Sequence, residues 1–219
     1  FYGTTTNGGS GGNCYNACGT VFKITAAGGF TSLYSFSGAG DGSQPAGLIQ
    51  ATNGNFYGTT YGVGSNGYGT VFKITSAGSL TTLYTFCAKS GCTDGANPAA
   101  SLVQGTDGNF YGTTAFGGNG GHGTIFKITS AGVFTLLHSF CLQFNKQGYC
   151  SDGFEPRAGL VQGADGNFYG TTSADGNGLG TVFQITPGST FTTLYYFGSI
   201  AQDGGYPNAG LVQATDGDF

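Results

Sequence analysis

The sequence predicts an all-β protein that repeats one structural unit, and three observations support this prediction. A Phe-Tyr-Gly-Thr-Thr motif recurs along the chain, beginning at Phe1, Phe56, Phe110 and Phe168. Each period contains four short apolar runs rich in Thr, Val, Ile, Phe and Tyr, which is the composition of β-strands. Asn-Gly and Asp-Gly pairs lie between neighbouring runs, and such pairs favour the tight turns of β-hairpins.

The repeats have nearly constant length. Successive motifs are 55, 54 and 58 residues apart, and the equivalent Phe219 follows after another 51. Residues 1–219 therefore form one repeat domain, with repeats 1–55, 56–109, 110–167 and 168–219. In the second repeat the apolar runs are 56–60, 69–75, 80–86 and 100–104. None has the length or the period of a helix, and the variable spacing predicts loops that tolerate insertion.

Four strands joined by tight turns form a small antiparallel sheet with two apolar faces. Such a sheet is stable only when copies pack face to face. A period near 50 residues with four strands predicts a β-propeller, each repeat forming one four-stranded antiparallel blade. Residues 209–213 repeat the first strand of a blade. Two explanations remain open: this strand completes the first blade and closes a ring, or the chain is cut from a longer array.

The composition excludes some classes of function. Charged residues make up 7% of the chain, against about 25% in an ordinary soluble domain. The net charge is −4 without a basic cluster, which argues against nucleic-acid binding. No apolar stretch is long enough to predict a membrane span. The chain contains no Met and no signal peptide, which predicts a processed or partial chain.

A surface this poor in charge has three interpretations. It lacks electrostatic protection against self-association, so it suits an assembled layer or fibre. It also suits a surface coated with O-linked glycan, or one that is neutral and soluble. Self-association and contact with other surface components are the partners that the sequence predicts.

Six cysteines fall in three local pairs, and each pair lies inside one predicted loop. The pairs are Cys14 with Cys18, Cys87 with Cys92, and Cys141 with Cys150. Pairs confined to single loops predict disulfides, whereas a zinc site needs about four ligands brought together. Disulfides persist in oxidising surroundings, so we expect an extracellular or cell-surface protein.

An Asp-Gly-x-x-Pro sequence occurs once in every repeat. Its aspartates are Asp41, Asp94, Asp152 and Asp203. One hypothesis is a structural Asx-type turn, in which the carboxylate accepts backbone N–H bonds before a rigid Pro. The other is a ring of aspartates that holds Ca²⁺, the only cofactor for which the sequence offers a candidate site.

The sequence offers a possible binding surface but no catalytic residue. Four tyrosines, Tyr61, Tyr68, Tyr149 and Tyr206, fall in predicted loops, where Tyr among Gly, Ser and Asn is typical of contact surfaces. The absence of Trp weakens a sugar-binding interpretation. His138 occupies the strand position of Tyr34, Tyr84 and Tyr195 and is interpreted as a packing residue.

The repeat resembles a known family. Residues 107–114 (Asp-Gly-Asn-Phe-Tyr-Gly-Thr-Thr), 123–129 (Gly-Thr-Ile-Phe-Lys-Ile-Thr) and 136–140 (Leu-Leu-His-Ser-Phe) are similar to the GloVer (Gloeo/Verruco) tandem-repeat family, and the resemblance covers all 219 residues. It implies an exported bacterial protein, often carrying a surface-anchoring segment, which is not visible here. It carries over no catalytic residues, and the disulfide loops are additions to the bare repeat.

Three functions follow as expectations. The favoured one is a non-catalytic extracellular structural or adhesive protein, part of a surface fibre or coat. The alternative is a propeller that binds glycan or protein in a pocket at its rim. The third is an enzyme with a site in the central channel.

Overall fold

The structure is a computed structural model that describes residues 1–12, 14, 18–62, 66–144, 150–174 and 179–219. The first blade contains β1 (Tyr2–Thr5), β2 (Thr20–Ile24) and β3 (Phe30–Ser35). The second contains β4 (Ser43–Gln50), β5 (Phe56–Gly62), β6 (Thr70–Ile74) and β7 (Leu80–Thr85). The third contains β8 (Val103–Gln104), β9 (Phe110–Thr114), β10 (Thr124–Ile128) and β11 (Phe134–Ser139). The fourth contains β12 (Val161–Gln162), β13 (Phe168–Thr172), β14 (Thr181–Ile185) and β15 (Phe191–Tyr196).

Each blade is an antiparallel sheet in which the strands follow one another in chain order. The first sheet has three strands and the others have four, counting the described residues. A short 3₁₀-helix, Ser90–Cys92, lies between the second and third blades. The sheets are blades of a β-propeller, so the predicted fold class is confirmed.

Strand order separates the connections onto two faces of the molecule. In a four-stranded blade the connections between the first and second strands, and between the third and fourth, lie at one edge, which we call the turn face. In the first blade β1, β2 and β3 take the second, third and fourth positions. The other connections, including those from blade to blade, lie at the opposite edge, the loop face. Seven turn-face connections have five residues each: 25–29, 51–55, 75–79, 105–109, 129–133, 163–167 and 186–190. Loop-face connections between strands vary from seven to 21 residues.

Every apolar core cluster is shared by two neighbouring blades. Val21 and Phe36 of the first blade pack with Phe72 of the second. The second and third blades share a cluster that includes Phe86 and Phe126. The third and fourth share a cluster that contains Tyr111, Ile125, Leu137, Phe140, Leu160, Phe168, Phe183 and Ile185. A single blade therefore has no core of its own, as the repeat pattern predicts.

The Phe-Tyr-Gly-Thr-Thr strand joins the blades through its first two residues. Successive side chains of a strand point to opposite faces, so the Phe faces one neighbouring blade and the Tyr the other. The ring centroids of each such pair lie close together: Tyr2–Phe56 at 4.1 Å, Tyr57–Phe110 at 4.0 Å, Tyr111–Phe168 at 3.9 Å and Tyr169–Phe219 at 4.0 Å. The motif is thus the contact that repeats from blade to blade.

Residues 209–213 lie beside the fourth blade. Thr171 Oγ1 donates a hydrogen bond to the carbonyl of Ala209 at 3.4 Å, as Thr113 donates to Ala158 at the preceding interface at 3.0 Å. Among the described residues, this segment does not pair with β1. Closure of the ring through the first blade stays a prediction.

We predict that Gly112→Ala destabilises the fold, because the motif glycine lies beneath a phenylalanine ring. An added Cβ would lie 2.7 Å from Phe126 Cζ and 2.8 Å from Leu102 Cδ2. Overpacking of this kind costs about 1–3 kcal/mol of unfolding free energy, measurable from the midpoint of urea denaturation. The control is Gly188→Ala, where the nearest atom would be Thr186 Oγ1 at 3.8 Å. An equal loss in both variants would contradict the explanation.

Candidate functional site

Each blade ends in an outer strand, which is β3, β7, β11 or β15. The loop that follows this strand contains an aspartate, and the aspartate contacts an aromatic side chain of the strand. The hydroxyls of Tyr34, Tyr84 and Tyr195 donate to Asp41, Asp94 and Asp203 at 2.9, 2.6 and 2.5 Å. In the third blade His138 Nε2 lies 2.9 Å from Asp152 Oδ2. We call each pair a loop clamp. The clamps tie the most variable loops to the ends of the outer strands.

The same carboxylates also accept backbone N–H bonds from the start of their loops. The donors are Ser37, Ala88, Cys141 and Gly198, at 2.8, 3.0, 3.0 and 2.8 Å. Within the described residues no group of three or more His, Cys, Asp or Glu side chains is arranged to hold a metal ion. These backbone contacts are those expected of an Asx-type turn, and the Ca²⁺ hypothesis stays a prediction.

In the first and fourth blades the loop clamp raises the pKa of its tyrosine and lowers the pKa of its aspartate. Burial alone would raise the pKa of Asp41, but hydrogen bonds from the hydroxyl and N–H of Ser37 and from Tyr34 hold it below its ordinary value. Burial, the hydrogen bond to Asp41 and its charge raise the pKa of Tyr34 to about 12. The hydrogen bond from Tyr195 is the main cause of a lowered pKa at Asp203.

A second set of contacts, made by backbone hydrogen bonds, links the loops to one another. The residue before each Asp-Gly-x-x-Pro proline has a positive φ: Gln44 at 55°, Asn97 at 57°, Glu155 at 53° and Tyr206 at 56°. Its N–H donates to a carbonyl of the loop between the second and third strands of the same repeat, at Cys18, Tyr68, His122 and Leu179 respectively. Because αL is disfavoured before proline, this conformation depends on the loops that surround it.

The three predicted disulfides are present, and all lie on the loop face. Cys14–Cys18 closes part of the connection between β1 and β2. Cys87–Cys92 and Cys141–Cys150 lie in loops that run from one blade to the next. They span separations of four, five and nine residues, so they constrain individual loops.

The four loop tyrosines do not share one blade. The prediction that Tyr61 lies in a loop is wrong, because pairing with β4 extends β5 through Gly62. Tyr61 is half-buried, and its carbonyl accepts a hydrogen bond from the Asn97 side chain. Tyr68 and Tyr206 are 43% and 60% exposed, and they lie on the loop face of different repeats. Tyr149 lies outside the described residues. A shared tyrosine surface stays a prediction.

A cleft of about 350 Å³ lies where the loop that follows β11 of the third blade meets β15 of the fourth. It is lined by His138, Leu142, Gln143, Ser151, Asp152 and Phe191. The His138 and Phe191 rings are parallel within 5°, with centroids 4.0 Å apart. Sequence reasoning missed this site, although two signals marked it. One is histidine in place of tyrosine, and the other is the longest spacing between motifs, 58 residues.

Solved structures show the same fold. The chain superposes on the extracellular domain of a proposed one-component system from B. thetaiotaomicron with a TM-score of 0.60 and 11% identity, covering 90% of this chain and 23% of that one. A proposed 6-phosphogluconolactonase from Bacteroides uniformis ATCC 8492 gives 0.53 and 14%, covering 89% and 53%. A proposed gluconolactonase gives 0.50 and 12%, covering 80% and 55%.

The chain therefore spans between 23% and 55% of the length of these proteins. At such identities the likeness shows the fold alone. No curated protein sequence matches the chain. A family model described as the Gloeobacter/Verrucomicrobia repeat matches residues 1–219.

We predict that Asp94→Ala destabilises the protein by about 2–3 kcal/mol, because it removes charge-assisted hydrogen bonds and leaves the Tyr84 hydroxyl without its partner. Asp94 is fully buried and accepts bonds from Tyr84, Ala88 and Lys89. Thermal and urea unfolding monitored by circular dichroism measure the loss. The control is Asp216→Ala at an exposed turn, expected within about 0.5 kcal/mol of the parent.

We also predict a broad pH plateau of stability. Groups with a lowered folded pKa, such as Asp41 and Asp203, contribute stability that is lost as the pH falls through that pKa. A raised pKa, as at Tyr34, contributes stability below the pKa of unfolded tyrosine that is lost at higher pH. The unfolding free energy is expected to be level between about pH 5 and 9 and to fall below about pH 4 and above about pH 10.

Urea midpoints across this range test the prediction. The double variant Tyr34→Phe with Asp41→Asn should be less stable at neutral pH and should lose less on acidification. A parent protein whose stability rises below pH 4 would contradict it.

Proposed function

Since the chain belongs to the Gloeobacter/Verrucomicrobia repeat family, we propose that it is an exported, non-catalytic structural and adhesive module that makes its contacts through the loop face. One observation carries the proposal. All three disulfides lie on the loop face, whereas the turn face consists of connections of uniform length. Variation and added covalent constraint on one face are typical of a recognition surface on a rigid scaffold.

Export is supported by the disulfides. Disulfides form and persist in oxidising compartments such as the cell exterior. Among the described residues, no helix combines the length and apolar character needed to cross a bilayer. The solved structure with the TM-score of 0.60 is an extracellular domain, which agrees with an external location.

Adhesion is supported by the chemistry of the loop face. Phe144, Ile200 and Tyr206 are 63%, 66% and 60% exposed, and all three lie in loops that follow outer strands. With 7% charged residues in the chain, little electrostatic repulsion opposes contact between such surfaces. Exposed apolar side chains on a weakly charged face are suited to association with another surface.

The absence of catalysis is supported by the roles of the acidic groups. Each aspartate of the four loop clamps is bound by an aromatic side chain and a backbone N–H. Glu155, the only glutamate, forms an ion pair with Arg157 at 2.8 Å. Two of the similar structures are named as lactonases, and that activity is said of those proteins alone.

The test measures attachment of protein-coated beads under flow to surfaces coated with the same protein or with neutral polysaccharides. Tyr68→Glu with Tyr206→Glu adds two charges to the loop face. Ala77→Glu with Val133→Glu adds two charges at exposed positions of the turn face. We expect the loop-face pair to reduce attachment about tenfold, equivalent to about 1.4 kcal/mol, and the turn-face pair to leave it within about twofold.

Two results would overturn the proposal. One is that beads carrying the unaltered protein attach to neither kind of surface. The other is that both pairs of substitutions reduce attachment equally, which would remove the distinction between the two faces.

A further inference from the structure

The cleft between the third and fourth blades forms at the clamp where histidine replaces tyrosine. The imidazole of His138 is smaller than the phenol rings of Tyr34, Tyr84 and Tyr195, yet it still reaches its aspartate. One side of the ring stacks on Phe191 of the fourth blade, and its edge meets Phe140 of its own blade. The site is therefore built from two blades and from the loop that joins them.

The two titratable side chains among the described lining residues of the cleft contact each other. His138 Nε2 lies 2.9 Å from Asp152 Oδ2, and the other described lining residues, Leu142, Gln143, Ser151 and Phe191, are uncharged. The described lining residues offer a charged ligand no carboxylate or basic group without a partner, so the cost of losing its hydration is not offset there. The cleft therefore favours a neutral ligand.

The uncharged residues combine apolar surface with hydrogen-bonding groups. Phe191 and Leu142 supply the apolar surface, and the Gln143 side chain supplies an amide donor and acceptor. Ser151 Oγ donates to the Gln143 carbonyl at 3.2 Å and keeps its own lone pairs as acceptors. A saccharide ring has the complementary chemistry, because its C–H faces pack on aromatic rings and its hydroxyls donate and accept hydrogen bonds.

The walls of the cleft are held in place before any ligand binds. The Cys141–Cys150 disulfide joins the two arms of the loop immediately before Leu142 and Ser151. The N–H of Cys141 donates to Asp152 at 3.0 Å. From the fourth blade, the Tyr196 hydroxyl donates to the Ser151 carbonyl at 2.6 Å. A site organised in advance loses less conformational entropy on binding.

We propose that this cleft binds the end of a neutral saccharide. A volume of about 350 Å³ lies at the low end of the range for small-molecule sites, so it suits a short terminal unit rather than a long chain. The inference rests on the proposed function, because it identifies one class of molecule to which the adhesive loop face attaches.

The experiment screens the intact, oxidised protein against immobilised neutral oligosaccharides of glucose, galactose, mannose and N-acetylglucosamine, with sialylated and sulfated oligosaccharides as charged comparisons. Calorimetry then measures the affinity of the best ligand, expected at a Kd of about 1 mM or tighter. His138→Tyr introduces the residue used by the other three blades and places a larger ring in the cleft. Gln143→Ala removes the amide.

Each of these variants should weaken binding at least about tenfold while the circular dichroism spectrum is unchanged. Phe191→Leu, which copies the equivalent Leu80 of the second blade, should weaken binding through loss of the ring. The matched control is Gln202→Ala, the same substitution at an exposed glutamine of the neighbouring loop, and it should bind as the parent does.

Preferential binding of charged oligosaccharides, no binding of any neutral one, or equal affinity in the parent, His138→Tyr and Gln143→Ala would each overturn the inference. The two proposals fail separately. If His138→Tyr abolishes saccharide binding while coated beads do not attach to any surface, the cleft assignment stands and the adhesive function fails. If beads attach to protein-coated surfaces but no saccharide binds, the reverse holds.

Discussion

The packing of one blade on the next is the interaction on which the rest of this structure depends. A four-stranded sheet with two apolar faces cannot bury them alone, and each core cluster contains side chains from two blades. The stacked Tyr111–Phe168 pair and its equivalents repeat this contact, and the adjoining glycine, such as Gly112, admits the ring of Phe126 from the neighbouring strand. The Tyr, Phe and Gly of one short motif therefore stabilise both the single blade and the packing of one blade on the next.

Polar contacts fix the loops to the strands, so the loops can vary in sequence and length while the blades keep their packing. On the turn face Asp107 accepts a bond from Tyr111 at 2.8 Å, and on the loop face Asp94 accepts one from Tyr84. Each carboxylate fixes the end of a strand to the adjoining connection. Because each loop clamp joins the end of a strand to one aspartate of the following loop, the residues between the strand and that aspartate can be inserted, replaced or bridged by cysteines. The third blade shows the consequence: its longer loop is closed by Cys141–Cys150 and borders a cleft.

The same contact explains how one interface between blades can vary while the common fold is kept. A change from tyrosine to histidine at position 138 keeps the clamp to Asp152 and so leaves the frame intact. It also alters the shape and the hydrogen-bonding groups at the cleft. Phe191 of the next blade completes the site, so specificity at this interface depends on two repeats, each of which also serves the common fold.

The sequence by itself determined the features that depend on neighbours in the chain. The strands and hairpins follow from short apolar runs and Asp-Gly turns, and the disulfides from cysteines separated by nine residues or fewer. Only the tertiary structure decided which aromatic ring binds each aspartate, where residues 209–213 lie, and that Leu142 and Phe191 line one cleft. The clamp partners are seven to 14 residues apart, and they meet only because a loop folds back on its strand. Leu142 and Phe191 come from different repeats, so their contact depends on how side-chain packing sets one blade against another, which a local pattern does not specify.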